Sequence, residues 1–269
     1  MHATLVARTL ALAGVILPLL RVSAQGVPLP NQGPEAPRIP RSPASTPPSG
    51  TTTGYWQQRA DYRIVAHLDE SRGVVQARGT LRYTNASPDT LRELWLHQHL
   101  NAFRPGSRWS ENDEAQGRER FQRLADPDFG YERFLSAPRV QGQALRYSYP
   151  LAPDSTVVRV ELLRPLAPGV QVEMALEWEA RPSTVFRRQG RRGRHFDFAQ
   201  WYPKVAVYDR HGWKPNALVA QGELYGEFGT FDVSFVLPSD QTIAATGVPV
   251  NGDPGWERAR VPGSAAPHY

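Results

Sequence analysis

The sequence predicts an all-β protein: a large twisted antiparallel sheet or saddle-like β-sandwich, with one helical insertion near residues 110–124. Three observations carry this. Apolar and polar residues alternate with a period of two over several segments of strand length. Polar links rich in glycine, proline, Asn and Asp separate those segments. The chain is rich in turn formers, with 22 glycines and 25 prolines among 269 residues. With 40% hydrophobic and 21% charged residues, a real core is expected.

Residues 1–24 come first and read as a secretory signal. Arg8 supplies the positive start, Leu10 to Leu20 is the apolar run, and Val22-Ser23-Ala24 offers a cleavage site. That run is shorter than the ~20 apolar residues a spanning helix needs, and no later stretch is more apolar. The expectation is an exported chain, periplasmic or extracellular, with no stable membrane span once the signal is cleaved. Residues 25–54 carry eight prolines among Ser, Thr and Gly and read as a disordered linker.

The β domain is expected over residues 55–257. Tyr62, Ile64, Ala66 and Leu68 form one apolar face, and Val75, Ala77, Gly79, Leu81 and Tyr83 another. Asp69 to Gly73 links them, which is a hairpin pattern. Leu94 and Leu96, Val158 to Leu162, Val170 to Trp178, and Phe231 to Leu237 supply further strands, with a turn expected at Pro165 to Gly169. Ser110 to Leu124 reads as the helix, with Ser110 as cap and Asp113 three residues on. Glu114 with Arg118, and Glu119 with Arg123, are i,i+4 pairs.

Composition excludes several function classes. With no cysteine there are no disulfides, no thiolate zinc sites and no thiol catalysis. Much of the net charge of +5 sits in residues 1–54, on Arg8, Arg21, Arg38 and Arg41, so no nucleic-acid partner is expected. His-Glu-x-x-His, Gly-x-Ser-x-Gly and phosphate-loop motifs are all missing.

Four groupings remain as candidates. His97 and His99 are two apart, which on a strand places both imidazoles on one face. Asp197, Asp209, Glu223 and Glu227 lie among aromatic residues, as edge or turn carboxylates by default. Arg187 to Arg194 packs five arginines with two glycines, a pattern of a solvated loop with some capacity for anions. Phe196 to Lys204 joins aromatic faces to the amide of Gln200, which suits either a pocket wall or core packing.

The run Phe198-Ala199-Gln200-Trp201-Tyr202-Pro203, followed by Tyr225 to Pro238 and by Ile243-Ala244-Ala245-Thr246-Gly247, resembles the N-terminal domain of the aminopeptidase N family, the gluzincin zinc metallopeptidases. The resemblance covers about Tyr55 to Trp256. It implies an all-β saddle that forms one wall of a substrate cleft, with Gln200, Trp201 and Tyr202 as substrate-binding residues. Tyr202 stands where the family usually has glutamate or glutamine near the substrate's amino end.

The resemblance further implies zinc for the full-length family but none in this chain, and no catalytic or metal-binding residue here. Only Met1 and Met174 occur, and neither precedes the Glu-Asn step of the family's catalytic strand. The expected partners are therefore the missing catalytic domain of the same parent protein and a peptide substrate. Residues 258–269 read as a truncated tail. A second reading is a stand-alone β-sandwich module that binds peptide or glycan on Trp201, Tyr202 and Trp213.

Overall fold

The computed structural model describes residues 2–10 (backbone), 55–221 and 224–256. Residues 11–54, with most of the expected signal and all of the linker, and the tail at 258–269 lie outside the described residues. The architecture is all-β, with one α-helix and one 3-10 turn among the described residues. No described helix is long and apolar enough to cross a membrane.

In chain order the strands begin with β1 (His2–Leu10), β2 (Arg59–Asp69), β3 (Val74–Thr84) and β4 (Leu91–His97). A 3-10 turn (His99–Ala102) and helix α1 (Arg108–Ala115) follow. Next come β5 (Tyr131–Phe134), β6 (Arg139–Val140), β7 (Gln143–Ala144) and β8 (Tyr147–Ser148). The long strands β9 (Val157–Leu166) and β10 (Gln171–Arg181) lead to three short ladders. These hold β11 (Gly190–Arg192), β12 (His195–Asp197), β13 (Lys204–Val205), β14 (Tyr208–Asp209) and β15 (Gly212–Trp213). β16 (Thr230–Pro238) and β17 (Val248–Asn251) close the described chain.

One sheet runs β17-β1-β16-β2-β3-β10-β6-β7, with β5 also on β10. A second runs β13-β4-β9-β8. The first is mixed, because β16 lies parallel to β2, with Val233 opposite Ile64. The β2–β3 hairpin is as the alternation predicts: Tyr62 faces Leu81, Ala66 faces Ala77, and the two apolar faces are buried. β9 runs on through Pro165 to Leu166, so the following turn is tighter than the expected Pro165 to Gly169. It is closed by Val170 N–H donating to the Ala167 carbonyl.

The inner faces meet in a single core. Ile64, Leu81, Met174 and Trp178 of the first sheet pack with Leu94, Leu96, Val158 and Val160 of the second, all at or near zero exposure. Complete burial of such side chains contributes roughly 1.5–3 kcal/mol each. The Trp178 indole N–H donates to the Trp201 carbonyl at 3.0 Å, fixing the Gln200 segment to this core.

The helix differs from expectation. It spans Arg108–Ala115, and its cap is Ser107, whose hydroxyl accepts from Ser110 N–H at 3.1 Å. Ser110 itself lies buried inside the first turn. Gly117, at φ +68°, takes the chain out of helical geometry. Asp113 is not a capping partner. Its buried carboxylate holds Arg118 at 3.1 Å and Arg120 at 2.5 Å, which pins the chain that leaves the helix. Arg118 therefore serves Asp113 and not Glu114, whereas Glu119 and Arg123 do pair at 2.8 Å.

Ser107 also donates to the Ala102 carbonyl at 2.7 Å and is almost wholly buried. Ser107→Ala is expected to cost about 1–2 kcal/mol, read as a lowered urea midpoint with an unchanged m-value.

Candidate functional site: a polar-lined pocket at Gln200

The segment after β12 turns back on itself at Gln200, whose φ is +56°. Only two described residues other than glycine hold a left-handed conformation, Gln141 and Gln200. A side chain with a Cβ is held there only when its surroundings over-determine it. Here the flanking residues do so. Trp201 is buried, with its ring 6.1 Å from Trp178 and 5.8 Å from Phe235. Tyr202 packs edge-on to Tyr62 at 5.1 Å and Phe231 at 5.5 Å.

Gln200 lines a pocket of about 510 Å³ together with His99, Phe103, Trp109, Gln189 and Phe186. The pocket's apolar wall includes Phe103 and Trp109, which pack on the buried Phe121 with ring centroids 5.1–5.9 Å apart. Its polar atoms are unusual. Gln200 Oε1, Trp109 Nε1 and both ring nitrogens of His99 are buried and have no hydrogen-bond partner among the described residues. A buried polar group without a partner costs about 1–3 kcal/mol. Three such groups on one pocket are therefore a place where a ligand or a second polypeptide gains more than it loses.

Electrostatics fix what this pocket can do. Burial first, then the neighbouring His97 and Lys204, hold His99 well below the ordinary imidazole range. Burial and Lys204 bring His97 down to about 4. Both rings are thus neutral at pH 7, stacked with centroids 4.6 Å apart. A neutral imidazole offers one donor and one acceptor. With the Gln200 carbonyl oxygen and the Trp109 N–H, the pocket offers both hydrogen-bonding senses on an apolar wall, which suits an amide or amine. Three arginines also line the pocket, Arg120, Arg187 and Arg188, and Arg120 is engaged by Asp113.

The other sequence candidates fall elsewhere. The strand expected through His97 and His99 ends at His97, and His99 opens the 3-10 turn, so stacking and not a shared strand face brings the rings together. Among the described residues no three His, Cys, Asp or Glu side chains gather as a metal site. Asp197 meets His195 at 3.2 Å and Asp209 meets Lys214 at 3.3 Å. Glu227 accepts from Tyr208 N–H at 3.0 Å, and burial pushes its carboxyl up to about 7. Glu223 lies outside the described residues.

The arginine run divides: Arg187 and Arg188 line the Gln200 pocket, whereas the rest lies on the β11–β12 hairpin, with Arg194 at its turn chelated by Glu70 at 3.0 Å and Asp240 at 2.8 Å. Arg191 donates to the Pro182 carbonyl at 3.1 Å. The aromatic platform of the second reading is not assembled either. Trp201 is buried in the core, while Trp213 packs against Tyr83 and Tyr208. Sequence reasoning missed Trp109 as a pocket residue. Its one signal was an aromatic in the first turn of a Ser-capped helix.

No family model matches the chain, and no curated protein matches it either. Solved structures do. A two-domain M1 zinc metallopeptidase mutant bound to L-arginine is 17% identical, over 72% of this chain and 36% of that one, with a TM-score of 0.38. The same kind of mutant bound to L-tryptophan gives 17% and a TM-score of 0.39. The M1 zinc metallopeptidase from Deinococcus radiodurans gives 16% and a TM-score of 0.38. The chain spans about 36% of the length of these structures.

Proposed function

We propose that the β domain is the substrate-cleft wall of an exported, zinc-dependent aminopeptidase-like metallopeptidase, and that Gln200, Trp201 and Tyr202 form its substrate-binding segment. The observation that carries this reading is the left-handed Gln200, which turns an unpartnered Oε1 into a pocket shared with His99 and Trp109. Trp201 and Tyr202 act through packing. They anchor the segment to Trp178 and Tyr62, so that Gln200 holds its conformation. The sequence resemblance of Phe198 to Pro203 supports the same assignment.

The described residues do not fit a zinc ion, since no three ligand side chains converge. In this reading the zinc belongs to a catalytic domain contributed outside these residues, and no step of hydrolysis is assigned to this domain. Its own residues bind and orient: Gln200 accepts from a substrate amine or amide N–H, and Trp109 donates to a carbonyl.

Titration with trialanine, followed by NMR of the indole N–H signals, tests this. The expected result is weak, saturable binding that Gln200→Leu weakens roughly tenfold without lowering the thermal midpoint. A chain blind to trialanine, or a Gln200→Leu variant with wild-type affinity, overturns it. Peptide hydrolysis by the purified chain with added zinc would overturn the placement of the metal elsewhere.

A further inference from the structure

A second cavity, of about 550 Å³, lies between the β2–β3 turn, the segment Asp126–Phe129 and the ends of β5 and β10. Four arginines line it: Arg72, Arg104, Arg133 and Arg181. Two carboxylates answer them. Glu179, almost completely buried, takes Arg72 at 2.9 Å and Arg133 at 3.0 Å, and accepts from Tyr131 Oη at 2.5 Å. Asp126 takes Arg181 from an exposed position.

Arg104 has no carboxylate partner among the described residues. Its guanidinium lies 4.9 Å from the centre of the Phe129 ring, and Arg181 lies 5.1 Å from the same ring and 4.5 Å from that of Tyr131. Two like charges are thus held around one aromatic ring, and the cavity carries an excess of two positive charges. Arg191, outside the lining, is coupled electrostatically to Arg181, Asp128 and Asp126.

We propose that this cavity binds a small molecule carrying a compact, multiply charged phosphoryl group. The chemistry follows from the donor set. Guanidinium is planar and matches phosphate oxygens in pairs. Stacking on Phe129 and Tyr131 fixes the planes of Arg104 and Arg181 before any ligand arrives, which lowers the ordering cost of binding. Arg181 is almost fully buried, so its field reaches the cavity with little screening by water. Burial and the charge of Arg181 also disfavour the charged form of Arg104, and an anion would relieve that repulsion. Glu179 does not compete as a free anion, because its lone pairs are taken by Gln76, Arg72, Arg133 and Tyr131. The site is separate from the Gln200 pocket and from the chelated Arg194, so it stands or falls independently of the proposed peptide binding.

The test is calorimetric titration of the chain with pyrophosphate at low and at raised salt. The expected result is saturable one-to-one binding that weakens as salt rises. Arg104→Gln is expected to lose at least about tenfold in affinity. Arg133→Gln, changed at a more exposed position, serves as the second variant should Arg104→Gln fold poorly. Arg164→Gln, on the exposed face of β9, is expected to bind as wild type. Three outcomes overturn the proposal: no saturable binding, unchanged affinity in both Arg104→Gln and Arg133→Gln, or an equal loss in Arg187→Gln, a residue that lines the Gln200 pocket, which would place the anion there.

Discussion

Gly229→Ala is expected to destabilise the domain by more than about 4 kcal/mol, a size reserved for a few named mechanisms. The mechanism here is steric. A Cβ built on Gly229 would fall on the Ala60 carbonyl, far inside van der Waals contact, and both atoms belong to backbone. The neighbours leave no room to retreat. Ala60 N–H donates to the Phe228 carbonyl at 3.1 Å, and Asp61 accepts from both the N–H and the hydroxyl of Thr230, at 2.8 and 2.7 Å. Moving Gly229 away therefore breaks the clamp that starts the parallel pairing of β16 with β2. Gly117→Ala is the control, since nothing lies within 4 Å of its Cβ position and only its φ of +68° opposes the change. About 1 kcal/mol is expected there. Equilibrium urea unfolding of both variants decides; a Gly229→Ala variant within 1 kcal/mol of wild type would contradict the close approach of these two strands.

The same glycine shows what the sequence could disclose. Alternation over residues 59–84 exposes a hairpin because both partners lie within one short window and each buries one face. The parallel contact between Phe231 and Tyr62 joins residues far apart in the chain, and no local pattern encodes it. The helix was legible in kind and misplaced at both ends: it stops at Ala115 where Leu124 was expected, and it starts before Ser110 because Ser107 and Ser110 are both credible caps. Only burial, which turns Ser110 inward, separates them.

Gln200 was legible as a polar residue among aromatics. Its left-handed backbone and its pocket mates were not, because His99 and Trp109 arrive from the segment after β4. The arginine cavity was illegible for the same reason. Arg104, Arg133 and Arg181 come from three separate elements, whereas the conspicuous run at Arg187 to Arg194 spends Arg194 on carboxylates and Arg191 on carbonyls.

Glu132→Met is expected to stabilise the domain, by an amount that grows with pH. Glu132 sits on β5 with 1% exposure, and neither carboxyl oxygen has a hydrogen-bond partner among the described residues. Its backbone is satisfied by Asn101, which accepts from Glu132 N–H at 2.9 Å and donates to its carbonyl at 2.8 Å. The side chain is therefore the costly part. Burial raises this carboxyl well above the ordinary range.

The native state then keeps a proton that the unfolded chain releases near pH 4.5. Stability contributed by that proton is whole below pH 4.5 and declines as pH rises, by about 1.4 kcal/mol per unit until the native group ionises. Methionine has similar length, no charge and adaptable packing, so its variant lacks this decline. The difference in unfolding free energy between Glu132→Met and wild type is expected to be small at pH 4 and to grow as pH rises toward 8.

Other groups titrate in this range as well, and His97 and Glu227 do so in opposite directions. His97, brought down to about 4, loses stability as pH falls below its ordinary value. Glu227, pushed up to about 7, loses it as pH rises through that value. Both are present in wild type and variant and cancel in the difference. A pH-independent difference, or a loss at pH 8, would mean that Glu132 is ionised and paired in the native protein. Tyr62, Tyr149 and Tyr202 are electrostatically coupled to Glu132, so this expensive carboxyl lies within reach of the segment that presents Gln200. Local rules are broken at a cost to stability most often where a protein does its work, and here the break adjoins the pocket proposed to hold the peptide.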